Sequence, residues 1–166
     1  MEKVTISDSS PLISLASIAE FDLLRLFFKE IYIPEAVYQE VVIQGQGRFG
    51  QKEVEEADWI RIVAVKDKDD VQRLINRHRI DTGEAETLCL AQELKARNVV
   101  LDEIAARKHA ENCGFRVIGT LGILKLAQGK GIIEDLKGRL EELESKGFRL
   151  SPNLYEDMLK TNRYNT

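Results

Sequence analysis

One event recurs along this chain and limits what it can fold into: a short apolar run ends at a polar or acidic residue and passes at once into a helix-forming segment. Residues 3–15, KVTISDSSPLISL, are the clearest instance. Val4 and Ile6 alternate with polar neighbours as in a strand, Asp8 closes it, Ser10 is a good N-cap, and Pro11 suits a first helical turn, where its missing N–H is no loss. The event returns at 31–33, where Pro34 opens a helix running to about 43, and at 59–65, which alternates with Ile60 and Ile62 on one side. It returns again at 98–101, a continuous apolar strand of the fully buried kind ending in Asp102-Glu103, and at 115–118 before Gly119-Thr120. Helical periodicity fills 21–28, 67–79, 81–97, 104–113, 120–128, 132–146 and 152–160. Five strands alternating with helices predict a mainly parallel α/β sheet covered on both faces.

The length of 166 residues fits one domain spanning 1–166, with no internal repeat and no linker to divide it. The amphipathic segments within 132–160, carrying Ile133, Leu136, Leu140 and Leu143, either cover the sheet or join a homodimer. A charged fraction of 31% beside 43% hydrophobic residues excludes a disordered chain, and a net charge of -4 argues against a general nucleic-acid coat while allowing a local basic patch. Cys89 and Cys113 form no C-x-x-C pair, so neither a disulfide frame nor a zinc site is expected. With no signal-like start and no apolar run of about 20 residues, a soluble, cytoplasmic protein without a membrane partner is expected.

Asp8 and Asp102 both end strands, and parallel strands place their carboxyl ends along one edge of the sheet, where ligands bind. Glu40 lies within the apolar stripe of its helix rather than opposite it, and Glu84 stands in the first turn of its own. Both can reach that edge. Carboxylates held close together resist ionising together, and a gathering of four implies an oxygen-only site suited to Mg²⁺ or Mn²⁺. Asp8, Asp102 and Glu84 are the candidate metal ligands, and all four acids are candidate catalytic residues. Each acid also has a plainer role: an Asx turn for Asp8, a cap at Ile104 for Asp102, a D-x-x-E capping box with Asp81 for Glu84, and a lysine partner for Glu40. Glu86, two residues from Glu84, is expected to face solvent, and Glu103 is the weaker of the Asp102-Glu103 pair.

Candidate substrate contacts are Ser9, Ser10 and Thr120, which can steady the phosphate or a ligand by hydrogen bonding, and Arg107, with Lys108, Arg73, Arg77 and Arg79 as further positive groups near an acidic site. The glycine loop from Gly45 to Gly50 matches G-x-G-x-x-G, but it follows a helical segment instead of a strand, so a dinucleotide site is not expected. No H-E-x-x-H, G-x-S-x-G or P-loop is present.

Taken in order, Asp8-Ser9-Ser10-Pro11-Leu12-Ile13, Ile33-Pro34-Glu35-Ala36-Val37 with Glu40, Gly83-Glu84-Ala85-Glu86, and Leu101-Asp102-Glu103 with Ala106-Arg107 resemble the PIN-domain family. The runs 119–124 and 147–151 look like one prokaryotic PIN-like subfamily. The likeness covers about residues 3–160. It implies a three-layer α/β/α sandwich and a Mg²⁺- or Mn²⁺-dependent ribonuclease, often the toxin of a toxin–antitoxin pair, with RNA as substrate and an antitoxin protein as partner. It carries the family's four acids onto Asp8, Glu40, Glu84 and Asp102. The third is commonly Asp in the toxin nucleases and is Glu here, and the subfamily often has a second Asp where this chain has Glu103.

Overall fold

A computed structural model describes residues 3–160. The expected span 1–166 includes 1–2 and 161–166, which lie outside the described residues. The strands are β1 (Thr5–Ser7), β2 (Ile31–Pro34), β3 (Ile60–Val63), β4 (Asn98–Val100) and β5 (Arg116–Ile118). The helices are α1 (Ser9–Ser17), α2 (Asp22–Phe28), α3 (Glu35–Tyr38), α4 (Gln51–Glu56), α5 (Lys68–His78), α6 (Thr82–Glu93), α7 (Ile104–Asn112), α8 (Thr120–Gly129), α9 (Leu136–Ser145) and α10 (Pro152–Leu159). α3 runs directly into a π-helical turn, Gln39–Ile43.

All five strands are parallel, in the order β3-β2-β1-β4-β5. The chain builds outward from β1 to β3 and then returns to add β4 and β5 on the other side of β1. The reversal therefore falls between β1 and β4, and at such a switch point neighbouring connections leave in opposite directions and open a crevice above the strand ends. In the β1–β4 register Ser7 pairs with Val100, which brings the residues just past both strands side by side.

Alternation along the strands divides the core. Ile31, Ile33 and Val100 face one layer with Leu12, Leu15, Leu24, Ile123 and Leu124. Ile6, Val99 and Leu101 face the other with Val71, Leu74, Leu88, Leu90 and Ala106. The result is the three-layer α/β/α sandwich. Leu136, Leu140 and Leu143 of α9 and Met158 of α10 belong to the first layer, and Arg139 reaches Glu20 at 3.2 Å. Lys125 of α8 donates to the carbonyls of Met158 at 2.7 Å and Lys160 at 2.6 Å, which closes the end of α10.

Several boundaries differ from the sequence reading. Helix α1 begins at Ser9 with Asp8 in the N-cap position, so Ser10 lies inside the helix and is not its cap. Helix α6 stops at Glu93 and not near 97, because the chain turns through Lys95 at φ 51. Ile62, on the edge strand β3, is 49% exposed. Gly45 follows the π-helical turn so closely that a Cβ there would collide with the Val41 carbonyl. Among the described residues no helix is long and apolar enough to cross a membrane.

Candidate active site

β1 delivers Asp8 to the switch point, where its backbone N–H donates to the Val100 carbonyl at 3.0 Å and fixes it against β4. The side chain is 3% exposed and makes no helix-capping bond, and its Oδ1 is buried without any hydrogen-bond partner. Burial is the main cause that raises its carboxyl from 3.8 to about 8. A backbone contact at Ser9 lowers it, and the charges of Asp81, Glu84 and Glu40 raise it. An oxygen left in that state is stable only with a proton or a cation beside it.

Glu40 arrives from the π-helical turn. One extra residue per turn rotates the side chains that follow, and such turns recur at functional sites. Here the turn lets a residue of the apolar stripe bring its carboxylate to the sheet edge. The meeting point is the backbone of Gly83. A Cβ added there would stand 3.2 Å from Glu40 Oε2, 3.5 Å from Asp8 Oδ1 and 3.5 Å from Asp81 Oδ1. Three carboxylates thus meet around one glycine, and a side chain there would press on Glu40 most. Asp81 is the member that the sequence reading treated only as a helix cap. Its D-x-G spacing, two residues before a glycine at the helix start, was the available signal.

Glu84 fills the plainer role foreseen for it as well as lying near the cluster. Its Oε2 accepts from the Asp81 N–H at 2.9 Å while Asp81 Oδ1 accepts from the Glu84 N–H at 2.8 Å, a complete capping box. The side chain is 9% exposed, and burial, with Asp81, Glu103 and Glu40 adding to it, raises its carboxyl against the lowering bond from Asp81. Glu86 does not face solvent as expected. Residues 83–91 of α6 are buried all round, between the sheet and its neighbouring helices, and Glu86, 8% exposed, accepts from the Ala36 N–H at 3.4 Å at the start of α3.

Asp102 follows β4 but does not cap α7, a role taken by Glu103, whose carboxylate accepts from the Ala106 N–H at 2.7 Å. Asp102 instead lies across the N-terminus of α8. Its Oδ1 accepts from the Thr120 N–H at 2.7 Å, and its Oδ2 from the Thr120 hydroxyl at 2.7 Å and the Ser10 hydroxyl at 3.0 Å. Thr120 is fully buried and spends its hydroxyl on that bond; Ser9 is buried and Ser10 half-buried. Arg107 Nη1 donates to the Leu101 carbonyl at 3.3 Å. A Cβ on Gly119 would lie 2.5 Å from that nitrogen and 2.7 Å from Asp102 Oδ1, so the two groups flank the glycine. Arg73 is turned to Asp67 and Asp70 at 3.7 and 3.5 Å, while Arg77, Arg79 and Lys108 are exposed.

The donors at this edge are all carboxylate oxygens, the chemistry a hard divalent cation selects, and Asp8 Oδ1 is an oxygen in want of a partner. They suit such an ion in type and charge. Among the described residues no three of them already form a ligand shell. The glycine loop follows the π-helical turn and leads into α4, a six-residue helix, so the strand that a dinucleotide fingerprint needs is missing.

A family model described as a PIN domain matches residues 4–163. No curated protein matches the chain. PIN domains are generally nucleases, and PIN nucleases generally use divalent metal ions. The fold derived above, with acids carried to the carboxyl edge of a parallel sheet, agrees with that match over almost its whole length. The chain belongs to the PIN-domain family and has its nuclease-type fold.

Proposed function

We propose that this chain is a Mg²⁺- or Mn²⁺-dependent endoribonuclease that hydrolyses phosphodiester bonds in single-stranded RNA. The observation that carries this reading is the buried, partnerless Oδ1 of Asp8 set among the carboxylates of Glu40 and Asp81. Asp8, Glu84 and Asp102 would hold the ion, with Glu40 beside them. A divalent ion there would neutralise charge developing on the phosphate and make nearby water more acidic. With an ion bound, the Asp8 carboxyl would be held as the carboxylate. Glu40, half-buried beside Gly83, would orient the attacking water. Thr120 and Ser10 hold the Asp102 carboxylate in one orientation, and Arg107, whose remaining N–H groups have no partner among the described residues, faces the phosphate.

The likeness of 119–124 and 147–151 to one prokaryotic subfamily supports a further step: a cytoplasmic toxin held in check by an antitoxin protein and working as a homodimer. A second reading, a PIN-like nucleic-acid-binding module without turnover, is favoured by the bonds that already occupy Glu84 and Asp102. Cleavage of labelled single-stranded RNA with Mg²⁺ or Mn²⁺ separates the two. Cutting that stops in folded Asp8→Asn and Asp102→Asn supports the enzyme, and no metal-dependent cutting by the unaltered chain supports the module.

A further inference from the structure

The opposite, amino-terminal edge of the sheet carries a second feature. Two adjoining hollows of about 590 and 490 Å³ share Lys3, Phe27, Phe28 and Asn98 in their walls. They run between the end of α2, the starts of β1, β4 and β5, and the end of α8. Lys29, Arg97, Arg116 and Lys130 complete the rim. In a chain of net charge -4, these five cations make no ion pair among the described residues. One acid, Glu30, lines the first hollow, and its carboxylate is held by Arg61 at 3.1 Å.

The backbone sets the two arginines rigidly. The Arg97 N–H donates to the Val4 carbonyl and the Arg116 N–H to the Arg97 carbonyl, both at 2.9 Å, so both side chains leave from fixed strand starts while remaining exposed. The wall between them is apolar and aromatic. Phe27 and Phe28 are only partly covered, and Leu26 and Leu126 are 59% and 39% exposed. Five exposed like charges gathered around a partly uncovered aromatic wall repel one another and do not stabilise the folded chain by themselves. Cations spaced along a groove with aromatic faces in it are what a single strand of nucleic acid needs, the charges following phosphates and the rings stacking bases.

We infer that this groove binds single-stranded nucleic acid away from the scissile bond, as a site separate from the acidic edge. The ligand class rests on the nuclease reading, but the test reads binding and not cutting, so one can fail while the other stands. Anisotropy of a labelled oligouridine of about a dozen nucleotides is followed with the full chain in EDTA at about 50 and 200 mM KCl. The unaltered chain is expected to bind, and Arg97→Ser/Arg116→Ser to weaken binding about tenfold at the lower salt and to flatten the salt dependence by about two ions. Equal affinity of the two, or no binding by the unaltered chain, overturns the proposal. So does polyglutamate displaced by the same double substitution while oligouridine is not, since that outcome assigns the groove to an acidic protein segment. Cleavage of a dinucleotide substrate by the double variant is expected to be unchanged.

Discussion

Ser10, in the first helix of the chain, donates its hydroxyl to Asp102 across 92 residues of sequence at 3.0 Å, and with Thr120 it determines where that carboxylate points. The switch point is therefore tied together by side chains as well as by strand pairing. Removing the buried hydroxyl in Thr120→Val leaves one carboxylate oxygen short of a bond and is expected to cost about 1–3 kcal/mol in thermal or denaturant unfolding. Ser10→Ala, at a half-buried position, is expected to cost less. Both should lower metal-dependent cutting more than they lower RNA binding.

Asp8 gives the chain an unusual pH dependence. Its carboxyl is raised from 3.8 to about 8, so the metal-free folded state holds a proton there that the unfolded state releases at lower pH. Stability from this group is fullest below about pH 4 and is lost as pH rises towards about 8. Asp8→Asn is expected to raise the melting temperature of the metal-free chain at pH 8, to remove most of this fall, and to abolish cutting. Differential scanning calorimetry at several pH values in EDTA checks it.

Gly83→Ala separates packing from function. Alanine within a helix ordinarily stabilises by about 0.5–1 kcal/mol relative to glycine. Here its Cβ would enter the space shared by Glu40, Asp8 and Asp81 at 3.2 to 3.5 Å. The expected outcome is unfolding stability equal to or above that of the parent together with weaker Mn²⁺ binding by calorimetric titration.

Glu84→Gln distinguishes a cap from a ligand. The amide oxygen can still accept from the Asp81 N–H, so stability is expected to stay within about 1 kcal/mol, whereas Glu84→Ala removes the capping box and costs about 0.5–2 kcal/mol. Loss of Mn²⁺ affinity in both variants marks Glu84 as a ligand; loss in neither leaves it as the cap alone.

Much of the fold was legible because its signals are local. Val99, Val100 and Leu101 are consecutive apolar residues, and all three are fully buried. Asp8 and Asp102 stand where strands give way to helices, and parallel pairing alone brings those positions together. The readings that failed depend on what surrounds an element. Glu86 was placed in solvent by helical periodicity, but α6 is covered on every side, so its period carries no information about exposure. Asp81 was read as a cap, and it is one; that it also crowds Asp8 and Glu40 follows from the glycine two residues on and from the π-helical turn, which no propensity signals. The Ser10 and Thr120 hydroxyls are expected from the sequence to steady the phosphate or a ligand; that both bond Asp102 is not legible there, because Asp102 is distant in sequence from both.

The most direct test of the acidic edge is a crystal of the full chain soaked in MnCl₂ and measured for anomalous scattering. A peak within about 2.5 Å of Asp8 Oδ1, shared with Asp102, Glu40 or Glu84, is the predicted result. Absence of any peak at this edge in crystals whose Asp8 is deprotonated, or Mn²⁺ bound elsewhere on the chain, would contradict the account.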